Sequence, residues 1–265
     1  MPTIPPEQLG LSLRFAARNN SPMDQSLVIL ALGSVVVFAA FFIRGLSGIG
    51  SALICIPLLA LFWELKTVVP LEALLEVSFS LLVVKKLYRH MRKDIILYVI
   101  IGAALGSLAG VFLLNSLPNT FLQKALGGTV LVFSVYLLKP NHQTARHLSH
   151  YWGVAAGALG GLLGGLFGTS GPPMAWYMAY RLHAKEVLRA SIIGLLALDF
   201  AWRVAIYAAT GLITVEVLKL GLVFLPAMAL GTFAGNRAVS RISDIRFRQL
   251  VAFILACSGM LLLLK

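Results

Sequence analysis

Charge is what this chain has least of. Asp, Glu, Lys and Arg together make up 12% of its 265 residues, where a soluble domain carries roughly 25%. With 59% apolar residues and a mean hydropathy of +0.89, the chain reads as a polytopic membrane protein. Acidic residues are the scarcer sign, 10 against 22 basic ones, for a net charge of +12. In a soluble protein that excess would suggest nucleic acid. Here the basic residues gather in short runs between apolar segments, the pattern of cytoplasmic loops. No soluble basic domain exists to carry a nucleic-acid site, so the partners to expect are a lipid bilayer and a small solute.

Cysteine is nearly absent too. Cys55 and Cys257 both fall in apolar stretches, without CxxC or Cys/His spacing, which supports neither a disulfide framework nor a metal site. Both are expected to be buried as small hydrophobes. His90, His142, His147, His150 and His183 lie in or beside loops and make no HExxH pattern. No Walker motif, dinucleotide fingerprint or nucleophile elbow appears, so no cofactor is expected. An integral-membrane enzyme would need paired carboxylates or a metal cluster facing the membrane surface, and none is evident. Trp63, Trp152, Trp176 and Trp202 fit interface belts or helix packing.

What the chain has in quantity is apolar segments, at about 27–43, 48–63, 67–84, 95–115 and 121–138, then 151–168, 171–180, 190–210, 217–235 and 249–264. A full span needs roughly 20 residues, so the pairs around "GLSGIGS" and "GLFGTSG" are too short. Residues 1–24, with Pro2, Pro5 and Pro6, read as a mobile tail. Arg14 and Arg18 ahead of Leu27 imitate a signal peptide. No small-x-small cleavage site closes that run, so it is kept as a structural segment.

The two sets of segments resemble one another. "GLSG" at 45–48 parallels "GLFG" at 165–168, and "ALGSLAG" at 104–110 parallels "ALGTFAG" at 229–235, at nearly the same offset. Basic loops at 85–93, 139–150, 181–189 and 236–248 are expected to be cytoplasmic. Tracing the path with those loops inside makes corresponding segments run in opposite directions, with both termini outside; Arg14 and Arg18 pull the other way. The expected fold is therefore all-α, with two inverted-topology repeats. Each is a broken-helix hairpin plus three spanning helices. Residues 25–140 form the first repeat, 141–150 a cytoplasmic linker and 151–265 the second. Secondary transporters share this pattern, with sites at interrupted helices near the midplane.

The breaks are the candidate site. Gly and Pro interrupt each helix, and a backbone broken at membrane depth survives only where protein or a water-filled cavity covers it. The resumed helix presents free N–H groups, and its dipole favours an anion. Gly48, Gly50, Gly168 and Gly171 allow close approach, and Ser47, Ser51, Thr169 and Ser170 add hydroxyls. Together they would cradle a small anionic substrate. The competing reading is a tight helix crossing built on small residues. Charges inside the spans are the second signal. Asp199 and Arg203 are spaced i,i+4 and can pair; Arg203 is either a counter-charge for the anion or half of a structural ion pair. Arg44 borders the first break, Glu76 is a candidate proton carrier, and Glu72, near the outer end of its helix, is expected to be solvated.

On these residues the chain resembles the TauE/SafE family of sulfite-exporter-like permeases. The resemblance is carried by "GLSGIGSALICIPLL", "GLLGGLFGTSGPPMAWYMAYRLHAKEVLRASI", "ALGSLAG" followed by "LPNTFLQKALGG", and "LPAMALGTFAG", over about residues 27–265. The family's first break usually reads GxGGG, where this chain has "GIGSA", a departure that bears on substrate identity. The resemblance implies a bacterial inner-membrane carrier of sulfite, sulfonates or related organic anions, often an exporter driven by the proton gradient. A channel-like facilitator would share the fold and lack coupling. Oligomeric state is not legible.

Overall fold

The computed structural model describes residues 22–47, 50–87, 91–138, 148–182, 184–238 and 244–264. Among them are ten helices and no strand: α1 Pro22–Ser47, α2 Ser51–Leu59, α3 Leu65–Leu87, α4 Lys93–Ser116, α5 Asn119–Leu138, α6 His150–Phe167, α7 Gly171–Arg181, α8 Lys185–Ala209, α9 Val215–Ala238 and α10 Asp244–Leu264. The tail expected at 1–24 lies outside the described residues up to residue 21. So do 141–147 of the linker and parts of three basic loops.

Among the described residues, five helices, α1, α4, α5, α8 and α9, are long and apolar enough to cross a membrane. The broken pairs are unequal. α1 has 26 residues, enough to cross alone, while α2 has nine and reaches only about 14 Å at 1.5 Å per residue. Likewise α6 has 18 residues and α7 has 11. The short helices therefore need cover, and α2 is nearly all buried, from Ser51 to Leu59. The outer surface is apolar, with Leu105, Phe112, Leu222, Phe233 and Phe253 exposed, as a lipid-facing girdle requires. Cys257 belongs to this surface and not to the core: it is exposed on α10, whereas Cys55 is buried as expected. In an all-apolar helix nothing in the sequence marks which face turns outward.

The largest helix contacts join the two halves: α4 with α6, α9 with α1, α10 with α5, and α3 with α8. Glycine makes the first of these possible. A Cβ on Gly102, Gly106 or Gly110 of α4 would collide with the carbonyls of Val154, Ala158 and Leu162. A Cβ on Gly157, Gly161 or Gly165 of α6 would meet those of Val99, Ala103 and Ser107. Two backbones in such contact leave no room for a methyl group. Gly231 and Gly235 of α9 stand in the same relation to the Phe38 and Phe42 carbonyls of α1. "ALGSLAG" and "ALGTFAG" are thus both helix crossings. Gly128 of α5 is different, since a Cβ there meets nothing within 4 Å. Gly128→Ala is expected to stabilise the protein by about 0.5–1 kcal/mol through lower chain entropy, read as a higher Tm in detergent.

Candidate functional site

Each break is made by a left-handed glycine. Gly50, at φ 106°, precedes α2, and Gly168, at φ 72°, ends α6. Side chains rarely take that conformation, because Cβ crowds the following carbonyl. At Gly168 a Cβ would also run into Ile56 Cδ1 of the opposite break. The Gly168 N–H donates to Gly164 O at 2.8 Å, the bond that caps α6. α7 then starts at Gly171, followed by two prolines. Pro172 and Pro173 have no N–H, so α7 offers fewer first-turn donors than α2 does.

The two breaks meet. Arg44, Gly50, Ser51 and Glu76 from the first half and Gly168, Thr169, Ser170 and Gly171 from the second line one cavity of about 30 Å³. That is room for about two water-sized groups. Leu53, Leu196 and Phe200 help to close it. It adjoins an apolar recess of about 300 Å³, to which Gly50, Leu53, Gly171 and Pro172 also contribute, with Phe133, Tyr136 and Trp176 on its walls. Gly48 and the Ser47 side chain lie outside the described residues.

Around the cavity, each half repeats one chain of contacts: hydroxyl, carboxylate, guanidinium. Ser170 Oγ donates to Asp199 Oδ2 at 2.7 Å, and Arg203 Nε donates to the same oxygen at 3.1 Å. In the first half Ser51 Oγ is hydrogen-bonded to Glu76, and Glu76 pairs with Arg44. All four ionic side chains are at most 4% exposed. Their guanidinium groups also lie over rings, Arg44 at 4.2 Å from Phe79 and Arg203 at 4.6 Å from Phe200, which offsets part of the desolvation cost.

Arg203 is not among the residues that line the cavity. It stands behind the second break, where Nη1 donates to Gly164 O at 2.7 Å, gripping the end of α6. Nη2 has no hydrogen-bond partner among the described residues. Tyr207 donates to the Gly165 carbonyl at 3.0 Å. The sequence reading overlooked this tyrosine, although the i,i+4 stripe Asp199, Arg203, Tyr207 marks one helix face. Thr169 Oγ1, buried in the cavity wall, also has no partner.

Glu72 departs from expectation. It is fully buried, not solvated, and Ser51 Oγ stands 3.3 Å from its Oε1. The reason is tertiary. α2 folds back against α3, so the start of α2 covers what would otherwise be an exposed early turn of α3.

A relative from Comamonas testosteroni, "Probable inner membrane transporter protein TsaS", is 28% identical over 191 residues, which cover 72% of this chain and 80% of the relative. No solved structure matches the chain. The model of the family "Sulfite exporter TauE/SafE" matches residues 33–262, which takes in both breaks, both ion pairs and every helix crossing described above; the chain belongs to this family of membrane transporters.

Proposed function

We propose that the chain is a secondary carrier of small anions, sulfite, sulfonates or related organic anions, in the bacterial inner membrane. It works by alternating access at the cavity between the two breaks. The observation that carries this reading is that breaks from opposite halves of the chain line one cavity, with a buried, partnerless Thr169 hydroxyl in its wall. The helix contacts support two repeats, 25–140 and 151–265. α4 packs on α6 as α9 packs on α1, while α3 packs on α8 and α5 on α10, so the contacts of the long helices in one repeat are matched by those of the other. The inverted direction of the repeats rests on the basic loops. Export is the direction that the family's description names, and the proton gradient would act through the buried carboxylates.

α7 lines the recess along most of its length, from Gly171 to Ala179, and its other walls include the late residues of α5 and the early residues of α8 and α10. Those ends adjoin the loops read as cytoplasmic, so this conformation faces inward. With Cys55 and Cys257 replaced, Ser116→Cys and Glu216→Cys should react with an impermeant thiol reagent from the outside. His90→Cys, Ala145→Cys and Ser243→Cys should react only after the membrane is opened. Reversal at any basic loop would remove the inverted-repeat argument.

Binding of sulfite, thiosulfate, sulfoacetate, isethionate and acetate to the purified protein tests the carrier reading directly. Ser170 is a weaker probe than the sequence suggests, because its hydroxyl already donates to Asp199. Thr169→Val keeps the side-chain shape and removes a hydroxyl that bonds nothing in the protein. It should lower affinity for the best anion roughly tenfold, about 1.4 kcal/mol, with Tm unchanged. Unchanged affinity would place the anion elsewhere. Counterflow in proteoliposomes separates a carrier from a channel-like facilitator.

A further inference from the structure

Glu72, Ser51 and Glu76 form a run of carboxyl, hydroxyl and carboxyl groups closed off from solvent, and the carrier mechanism above does not assign the proton to any one of the buried carboxylates. Glu72 is 0% exposed and Glu76 1%, one turn apart on α3. Ser51 Oγ is in contact with both, at 3.3 Å from Glu72 Oε1 and closer to Glu76 Oε1. A hydroxyl has one hydrogen. It goes to Glu76, the nearer partner, whose other oxygen pairs with Arg44. The contact with Glu72 is then a hydrogen bond only if the Glu72 carboxyl donates to Ser51 Oγ. That requires a proton on Glu72. Its Oε2 has no hydrogen-bond partner among the described residues, a condition that costs a buried carboxylate far more than a neutral carboxyl.

The pairing of the surrounding charges leads to the same assignment. Those acting on Glu72 are Arg44 of α1 and Asp199 and Arg203 of α8, with Glu76 of its own helix on the far side of Ser51 Oγ; the uncharged Cys55 of α2 and Tyr207 of α8 are also near. Arg44 is matched with Glu76, and Arg203 with Asp199. Each guanidinium is thus paired with a carboxylate other than Glu72. With Glu72 neutral the five groups sum to zero; with it ionised they carry one net negative charge.

We propose that Glu72 is the proton-binding residue of the carrier, and that its proton and the anion load together and cross on the same stroke. The inference rests on the carrier reading of the cavity. An anion entering beside an ionised Glu72 meets a like charge, and one entering beside a neutral Glu72 does not. Linkage makes the effect mutual: the proton favours the anion, and the anion favours the proton. Ser51 and Glu76 both line the cavity, so they give the Glu72 proton its route to solvent. Anion affinity therefore falls as pH rises through the titration of Glu72. Outward flux is driven by the anion's own gradient and removes a proton with it, and an inward proton gradient drives the anion inward, which departs from the proton-driven export that the family resemblance implies.

Two measurements test this. Infrared spectra of the purified protein in lipid at neutral pH should contain the C=O band of a protonated carboxyl, and Glu72→Gln should lack it. A wild-type spectrum without the band, or a band that survives the substitution, overturns the assignment. Flux is then followed in proteoliposomes loaded with a pH-sensitive dye and isethionate, a sulfonate that stays ionised. Efflux from the wild type should make the interior more alkaline, and Glu72→Gln should carry isethionate with no pH change and no pH dependence. Protons moving against the anion, or still moving with it in Glu72→Gln, sink the co-transport. Gln mimics the neutral carboxyl, so the variant should keep the wild-type Tm, and a large loss of stability would count against a neutral Glu72. If isethionate does not move in the wild type, the carrier reading fails for sulfonates, and the infrared pair still decides where the proton sits.

Discussion

Arg203→Ala is expected to lower stability by about 3–5 kcal/mol, the usual cost of breaking a buried ion pair from one side. The substitution leaves Asp199 as a buried carboxylate supported only by Ser170. It also removes the Nη1 donor that grips Gly164 O at the end of α6. Of the two roles open from the sequence, a counter-charge for the anion would instead give an Ala variant that inserts and purifies normally but does not transport. Arg203→Lys should fall between, since one ammonium cannot reach both Asp199 and the Gly164 carbonyl as the fork does. The double variant Asp199→Asn with Arg203→Gln removes both charges, so it should recover most of the stability that Arg203→Ala loses. Unfolding in mixed micelles gives the stabilities, and isethionate counterflow gives the activities. An Arg203→Ala protein as stable as the wild type would refute the structural role. A double variant that transports would exclude Arg203 as the counter-charge for the anion.

Gly106→Leu should be at least as damaging, about 3 kcal/mol or more, at the upper end of overpacking costs. Flexible side chains can yield to an added group; here the obstacle is backbone. A Cβ at Gly106 collides with the Ala158 carbonyl, and Gly102 and Gly110 face the same obstacle one turn either way. α4 would have to lift off α6 along the whole crossing, and the end of α6 carries the second break. Binding should fall with stability, although residue 106 does not line the cavity. Gly128→Ala is the matched control, with open space at its Cβ. Equal Tm values for Gly106→Leu and the wild type would mean that the crossing is not as close as described.

The two breaks were legible because their chemistry is local. Gly50 and Gly168 take a left-handed conformation that costs other residues energy, and Pro172 and Pro173 can only open a helix. The i,i+4 pair Asp199 and Arg203 was legible for the same reason, being two residues on one helix face. Partnerships across helices were not. Ser170 looked like a free donor until Asp199 was found 2.7 Å away, and Arg44 looked like a border residue until Glu76 was found beside it. Those pairs are separated by 29 and 32 positions, and no periodicity reaches that far.

Membrane class, the number of helices and the places where they break follow from the residues, because the bilayer imposes length and hydropathy on each segment separately. Which face of each helix turns inward does not follow. Lipid is as apolar as the protein interior, so an α10 that exposes Cys257 and Phe253 and buries Val251 and Leu255 is apolar on both sides. Only the packed structure could bury Glu72 and divide the glycines between crossings and cavity. Only it could set Ser51 between two carboxyl groups, because each of these depends on a helix that arrives from elsewhere in the chain.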